Sequence, residues 1–326
     1  MDKKKLITIL RLVISVILLL TVIILADFKK IIIVLKNFNL VWLLPILFLI
    51  LLSVIVSAVK WNTLIKAQGV SIKLFELFKF YNCGLFFNNF LPSSIGGDGI
   101  RIFLVGKKTE NYYVAASSVV VERTIATVSL AFLGLASSVF AKSPSKIAIN
   151  LMAALFVTGV ILVFIMISGW VPKRLREKDG RISKGWIKFA ASALELRSKK
   201  KDLFICFIQS IVFQMIVGLV VGAIIKGMGN TVPGLPDLFL ITSASSVLAM
   251  VPLGLNGYGM REGAYIYLLR PLGYTASQAV SISILFAFLV TIYSLIGGIN
   301  WILISRRTGK SPQLHCKDVT TSELET

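Results

Sequence analysis

Two ten-residue stretches lie 160 positions apart: Pro92-Ser93-Ser94-Ile95-Gly96-Gly97-Asp98-Gly99-Ile100-Arg101 and Pro252-Leu253-Gly254-Leu255-Asn256-Gly257-Tyr258-Gly259-Met260-Arg261. Both place proline first, an aliphatic residue three on, glycines five and seven on, and arginine nine on. The proline removes a donor and breaks a helix. The glycines permit unusual dihedrals and close backbone approach. Freed amides and the start of a following helix attract an anion such as phosphate, and Arg101 and Arg261 add planar, bidentate donors suited to the same group. The plainer reading is that the glycines only let helices pack closely and each arginine reaches for an interface. Two copies favour a binding site, because charge within a membrane is costly and generally functional.

Three acids accompany these stretches, Asp98, Glu122 and Glu262, two of them adjacent to arginines as Glu122-Arg123 and Arg261-Glu262. They read either as local ion pairs that let charges sit in the membrane, or as a site for a coupling proton or cation or for a cationic headgroup. Asn88 and Asn89 either hydrogen-bond a polar headgroup or satisfy unwound backbone. The candidate substrate-binding residues are therefore Asn88, Asn89, Pro92, Ser93, Ser94, Gly96, Gly97, Asp98, Gly99, Arg101, Glu122 and Arg123, with Pro252, Asn256, Gly257, Gly259, Arg261 and Glu262 in the second half. No catalytic residue, metal ligand or cofactor is expected. Lys60 and Trp61 close an apolar run and read as an interface anchor.

The elements that must hold these residues are membrane helices. Of 326 residues, 56% are hydrophobic and 15% charged, and the mean hydropathy is +0.85. Soluble domains are about a quarter charged, so a soluble enzyme, a nucleic-acid binder and a disordered scaffold are excluded as starting points. The formal charge of +20 fits basic loops beside anionic headgroups. Cys83, Cys206 and Cys316 make no CxxC pair, and the one histidine, His315, lies in a polar tail. Neither a disulfide framework nor a zinc site is suggested, and no histidine is left for catalysis within the membrane.

Eight apolar segments can be read off: residues 12–26, 37–59, 80–97, 124–141 (extending back through Arg123 and Glu122 to Tyr113), 147–172, 203–225, 238–260 and 271–305. A crossing needs about 20 apolar residues. Segments 80–97 and 238–260 are too rich in Asn, Ser, Pro and Gly, and irregular backbone at membrane depth survives only when buried or lining a cavity. If all eight cross, basic residues divide 15 inside to 19 outside; if those two enter and leave on one side, 26 inside to 8 outside. The positive-inside rule selects the second arrangement. The expected fold is an all-α integral membrane protein with about six full crossings and two broken, re-entrant helices, both termini cytoplasmic.

Three crossings separate the two motif copies, and an odd number reverses orientation, giving an inverted repeat. A single transmembrane domain is expected over 1–310, with repeat 1 at about 5–141 and repeat 2 at about 147–305. The linker 173–202 reads as a basic amphipathic helix on the inner leaflet, with Trp186, Ile187, Phe189, Ala190, Ala193 and Leu194 among its charges. Residues 311–326 are expected to be disordered. Lys3, Lys4 and Lys5 precede the first segment without a following cleavage site, so it reads as a retained helix.

Phe87-Asn88-Asn89-Phe90-Leu91-Pro92 through Asp98 with Arg101, then Val121-Glu122-Arg123, then Val251-Pro252 and Gly257 through Gly263 resemble the transmembrane region of lysylphosphatidylglycerol synthetases, which also occurs as stand-alone flippase-like proteins. The resemblance covers about residues 5–305. It implies a plasma-membrane protein that moves a polar lipid between leaflets, such as an aminoacylated phospholipid or a polyprenyl-phosphate-linked lipid. The implied partners are lipids with anionic or phosphate-bearing headgroups, with proton or cation coupling and no nucleic acid. Only about 20 residues follow the last segment, so a complete aminoacyl-lipid synthetase is not expected. Asn62 stands where such proteins often carry arginine after the tryptophan. No Walker motif is present. A membrane enzyme acting on a lipid phosphate, or an accessory subunit of an envelope-lipid pathway, is the alternative.

Overall fold

The computed structural model describes residues 33, 36–90, 95–142, 145–170, 180–250 and 259–307. Ten α-helices and no strand occur among them: α1 (Leu43–Ala67), α2 (Leu74–Phe90), α3 (Ile95–Thr109), α4 (Tyr112–Ser138), α5 (Lys146–Ile167), α6 (Arg181–Leu194), α7 (Lys200–Gly227), α8 (Leu235–Met250), α9 (Met260–Leu269) and α10 (Ala276–Arg307). Five of these, α1 with its leading turn, α4, α5, α7 and α10, are long and apolar enough to cross a membrane. The expected first crossing and the tail 311–326 lie outside the described residues, as do the motif loops 91–94 and 251–258.

Local chemistry sets the helix starts. Asn111 accepts from the Val114 amide to begin α4, and Ser145 accepts from Ala148 to begin α5. Both side chains satisfy donors that a helix start leaves open. Helices α2, α3, α8 and α9 contain 17, 15, 16 and 10 residues. At 1.5 Å per residue each falls short of the ~30 Å hydrocarbon core. The first of them begins earlier than the charge-free run suggests. Glu76, in its first turn, pairs with Lys108 of α3 at 2.6 Å, and Lys79 lies over the Phe75 ring.

Shifted by 160, the first four helices fall on the last four: α1 on α7, α2 on α8, α3 on α9 and α4 on α10. Packing follows the same plan. The two leading helices, α1 and α7, form a central pair, and each short helix pair rests on the long helix of the other set, α2 on α10 and α8 on α4. These crossings are close. A Cβ on Gly297 would lie 1.9 Å from the Asn82 carbonyl oxygen, and one on Gly134 would lie 2.0 Å from Met152 Sδ and 3.0 Å from Ser243. Small residues at such points let backbones approach where lipid supplies no hydrophobic drive. Outward faces carry exposed apolar residues such as Leu44, Phe48, Phe164, Phe204 and Ile299, as contact with lipid chains requires.

One sequence expectation is overturned. Lys60 and Trp61 do not anchor an interface. Helix α1 continues past them to Ala67, and both side chains are buried. A cation can take that position because its counter-charge is supplied from α4, as described next.

Candidate functional site

Three helices deliver charge to one depth. Lys60 lies seven residues before the end of α1, Arg101 eight before the end of α3, and Glu122 ten after the start of α4. That places all three about 10–15 Å in from neighbouring helix ends. Glu122 accepts from Lys60 Nζ on Oε1 at 2.6 Å and from Arg101 Nη2 on Oε2 at 2.8 Å, and all three side chains are no more than 2% exposed. Asp98 accepts from Arg101 Nη1 at 3.3 Å and from Arg123 Nη2 at 2.8 Å and Nε at 3.0 Å. Arg123 is 46% exposed, so the network runs from a dry end at Lys60 to an open end at Arg123. Three cations meet two carboxylates, leaving one positive charge in excess.

The Arg101 guanidinium carbon lies 4.2 Å from the Trp61 ring centroid and 4.6 Å from that of Tyr81. Flat guanidinium groups stack on aromatic faces in this way. Trp61 is itself fixed, since Nε1 donates to Ser118 Oγ at 3.1 Å. Arg101 Nε is buried and has no hydrogen-bond partner among the described residues. A buried donor left open costs free energy.

The glycines of the first stretch divide by role. A Cβ on Gly97 would meet the Gly84 carbonyl at 2.0 Å, and one on Gly84 would meet Arg101 Cγ at 2.7 Å. These two glycines set the close crossing of α2 and α3 and seat the arginine stem. Gly99 faces open space, and Gly96 is half-buried. Asn88 Oδ1 accepts from the Gly97 amide at 2.9 Å, so it satisfies backbone at the break. Asn89 is half-buried beside it.

The second stretch is built differently. Gly259 has φ of 85°, a conformation glycine adopts without strain, and its amide donates to Glu262 Oε2 at 2.6 Å. Glu262 Oε1 accepts from Ser283 Oγ at 2.8 Å and Arg261 Nη2 at 3.0 Å, while Arg261 Nε donates to Ser283 Oγ at 2.9 Å. Glu262 is fully buried. In both stretches the arginine of the short helix is tied to the long helix that follows, through Glu122 on α4 and Ser283 on α10. We expect Ser283→Ala to lower thermal stability in detergent by about 1–3 kcal/mol, because the buried Glu262 loses a donor.

Asp98, Arg101, Glu122 and Arg123 are thus brought together, and Gly259, Arg261 and Glu262 form a second group. Pro92, Ser93, Ser94, Pro252, Asn256 and Gly257 lie outside the described residues. Lys60, Trp61, Tyr81, Ser118 and Ser283 were not among the sequence candidates. Ser283 had a signal: it occupies the position of Arg123 shifted by 160. Among the described residues no three His, Cys, Asp or Glu side chains gather as a metal would require.

Five long apolar helices, four short ones at the breaks and a buried charge network define a multi-pass, all-α membrane protein. Residues 8–298 match the family described as lysylphosphatidylglycerol synthase TM region. The chain belongs to that family. Among similar proteins, the UPF0104 membrane protein PH1989 of Pyrococcus horikoshii is 22% identical over 279 residues, covering 76% of this chain and 82% of its own. The UPF0104 membrane protein MJ1078 of Methanocaldococcus jannaschii is 26% identical over 239 residues, covering 70% of this chain and 98% of its own. A second protein of that organism, the UPF0104 membrane protein MJ1595, is 37% identical over 124 residues, covering 37% of each chain. No solved structure gives a significant match.

Proposed function

We propose that this protein is a transporter, not an enzyme, and moves a phosphate-bearing polar lipid between the leaflets of the plasma membrane. The observation that carries this reading is the net-positive network of Lys60, Arg101, Glu122, Asp98 and Arg123 beside the first helix break, buried at Lys60, Arg101 and Glu122 and open at Arg123. Charge at that depth is costly and concentrates where something polar must pass. The headgroup phosphate enters at the open end, beside Arg123, and takes donors from Arg123 and Arg101. Lys60 holds Glu122 in place while Arg101 changes partners. Glu122 and Asp98 are the sites for a coupling proton or cation, or for a cationic headgroup such as an aminoacylated one. The family description, a lysylphosphatidylglycerol synthase transmembrane region, supports a role in lipid handling, and a polyprenyl-phosphate carrier fits the same phosphate chemistry.

The two four-helix sets act as an inverted repeat in this reading. Three span-length helices, α4, α5 and α7, lie between the breaks, so the second hairpin enters from the opposite face, and rocking of one set against the other alternates access. Both termini are then cytoplasmic. Reconstitution tests the proposal. Purified protein in liposomes should move fluorescent phosphatidylglycerol between leaflets without altering it chemically. Arg101→Ala and Arg261→Ala should each lower the rate at least tenfold, as loss of one charge-assisted contact predicts, with helical content preserved. Chemical turnover of the lipid, or unchanged rates in both folded variants, would refute the assignment.

A further inference from the structure

Helices α5 and α7 both pack on α4 but leave a cleft between them. Its volume is 370 Å³, and it is lined only by apolar side chains: Ile125 and Val128 form the floor, with Val160 and Phe164 on the α5 wall and Leu203 and Phe204 on the α7 wall among them. Phe164 and Phe204 are well exposed, so the cleft opens sideways into the bilayer. It has no polar group with which to hold water, and it is large enough for part of one hydrocarbon chain.

The rim changes character at once. Lys199, Lys200 and Lys201 are all exposed at the start of α7. Lys200 and Lys201 lie four and three residues before Phe204, so they stand on the helix face that walls the cleft. Arg197 precedes them and is exposed. Across the mouth, α5 ends at Ile167, and exposed Trp170 follows three residues on, the residue type that seeks the headgroup layer.

We propose that this cleft is a stationary binding site for one anionic phospholipid, distinct from the transport path. An acyl chain fills the space between α5 and α7, and the phosphate rests on Lys200 and Lys201. The occupant is fixed by charge complementarity: exposed Arg197, Lys199, Lys200 and Lys201 outnumber the half-buried Asp202 and exposed Glu195 beside them, and an apolar slot under a net-positive rim selects a negatively charged headgroup over a zwitterionic one. In the topology proposed above the rim faces the cytoplasmic leaflet, where anionic lipids attract such residues. The lipid closes the gap between α5 and α7 and braces α4, the helix that carries Glu122.

Native mass spectrometry of the full-length protein tests this, using dioleoylphosphatidylglycerol and dioleoylphosphatidylcholine at equal concentration. One phosphatidylglycerol should be retained per chain, at least tenfold in preference to phosphatidylcholine. Lys200→Gln with Lys201→Gln should reduce retention roughly tenfold or more, as two basic residues at an anionic surface predict. Val160→Phe with Val163→Phe, which fills the slot from the α5 side, should reduce it comparably. Lys142→Gln with Lys146→Gln, the same charge loss at the far end of these helices, should leave it unchanged. Equal retention of both lipids, equal loss from the two lysine pairs, or full retention by the filled variant would overturn the proposal. So would loss of the retained lipid in Arg101→Ala, which would place that lipid at the charge network. Failed transport with intact retention would count against the transport reading alone.

Discussion

Glu122→Gln is expected to destabilise the protein more than any other single charge change, by about 3–5 kcal/mol, because it strands two buried cations. Glu122 receives Lys60 on one oxygen and Arg101 on the other. An amide of the same shape retains one weak acceptor and turns its NH2 group toward the other cation. Asp98 remains within reach of Arg101 at 3.3 Å, but no second carboxylate lies beside Lys60 among the described residues. Pairing Glu122→Gln with Lys60→Met should therefore recover most of the loss, since a cation and an anion then leave together and Arg101 keeps Asp98. The check is thermal unfolding in detergent of both single variants and the double variant. Additive losses across the cycle would show that the ion pair does not couple these residues.

The second large effect separates two glycines of one stretch. Gly97→Ala should cost about 3 kcal/mol or more, the upper range for forcing volume into packed structure. The new methyl would lie 2.0 Å from the Gly84 carbonyl oxygen and 2.4 Å from Asn88 Oδ1; the backbone oxygen cannot swing away, and Asn88 can do so only by giving up its bond to the Gly97 amide. The crossing of α2 and α3 would open, the Asn88 bond to the Gly97 amide would lengthen, and the Arg101 stem would lose its seat over Gly84. Gly99→Ala, two residues on, meets nothing within 4 Å. It should be neutral or stabilising by about 0.5–1 kcal/mol, the usual gain for alanine within a helix. Midpoints of thermal unfolding, with folded yield from membranes, distinguish the two. Similar behaviour of both variants would mean that the stretch tolerates separation of the helices.

Much of this architecture is written locally in the chain. Pro92 and Pro252 with their trailing glycines mark both breaks, and the 160-residue shift that aligns them also aligns the helices around them. Asp98, Arg101, Glu122 and Arg123 are visible as charges inside apolar sequence, and they meet. The partners that complete the site are not visible in this way. Lys60 followed by Trp61 has the local signature of an interface anchor; only Glu122, 62 positions later on another helix, turns that lysine into a buried one. Tyr81 and Ser118 carry no charge and become recognisable only when Arg101 and Trp61 are placed against them. Gly97 and Gly99 look equivalent in sequence, and the difference between them is which one faces Gly84 across the helix crossing.

The interlocking of the two sets has a consequence for how the protein is made. Asn82 on α2 is covered by Gly297 on α10, a residue synthesised more than 200 positions later. At about 5–20 residues per second the ribosome needs about 10–40 seconds to deliver it. For that interval the α2–α3 pair, which carries Asp98 and Arg101, lacks the α10 wall that covers Asn82. The crossing of α2 by α10 can close only after residue 297 has been made. Biogenesis therefore depends on where α10 comes to rest.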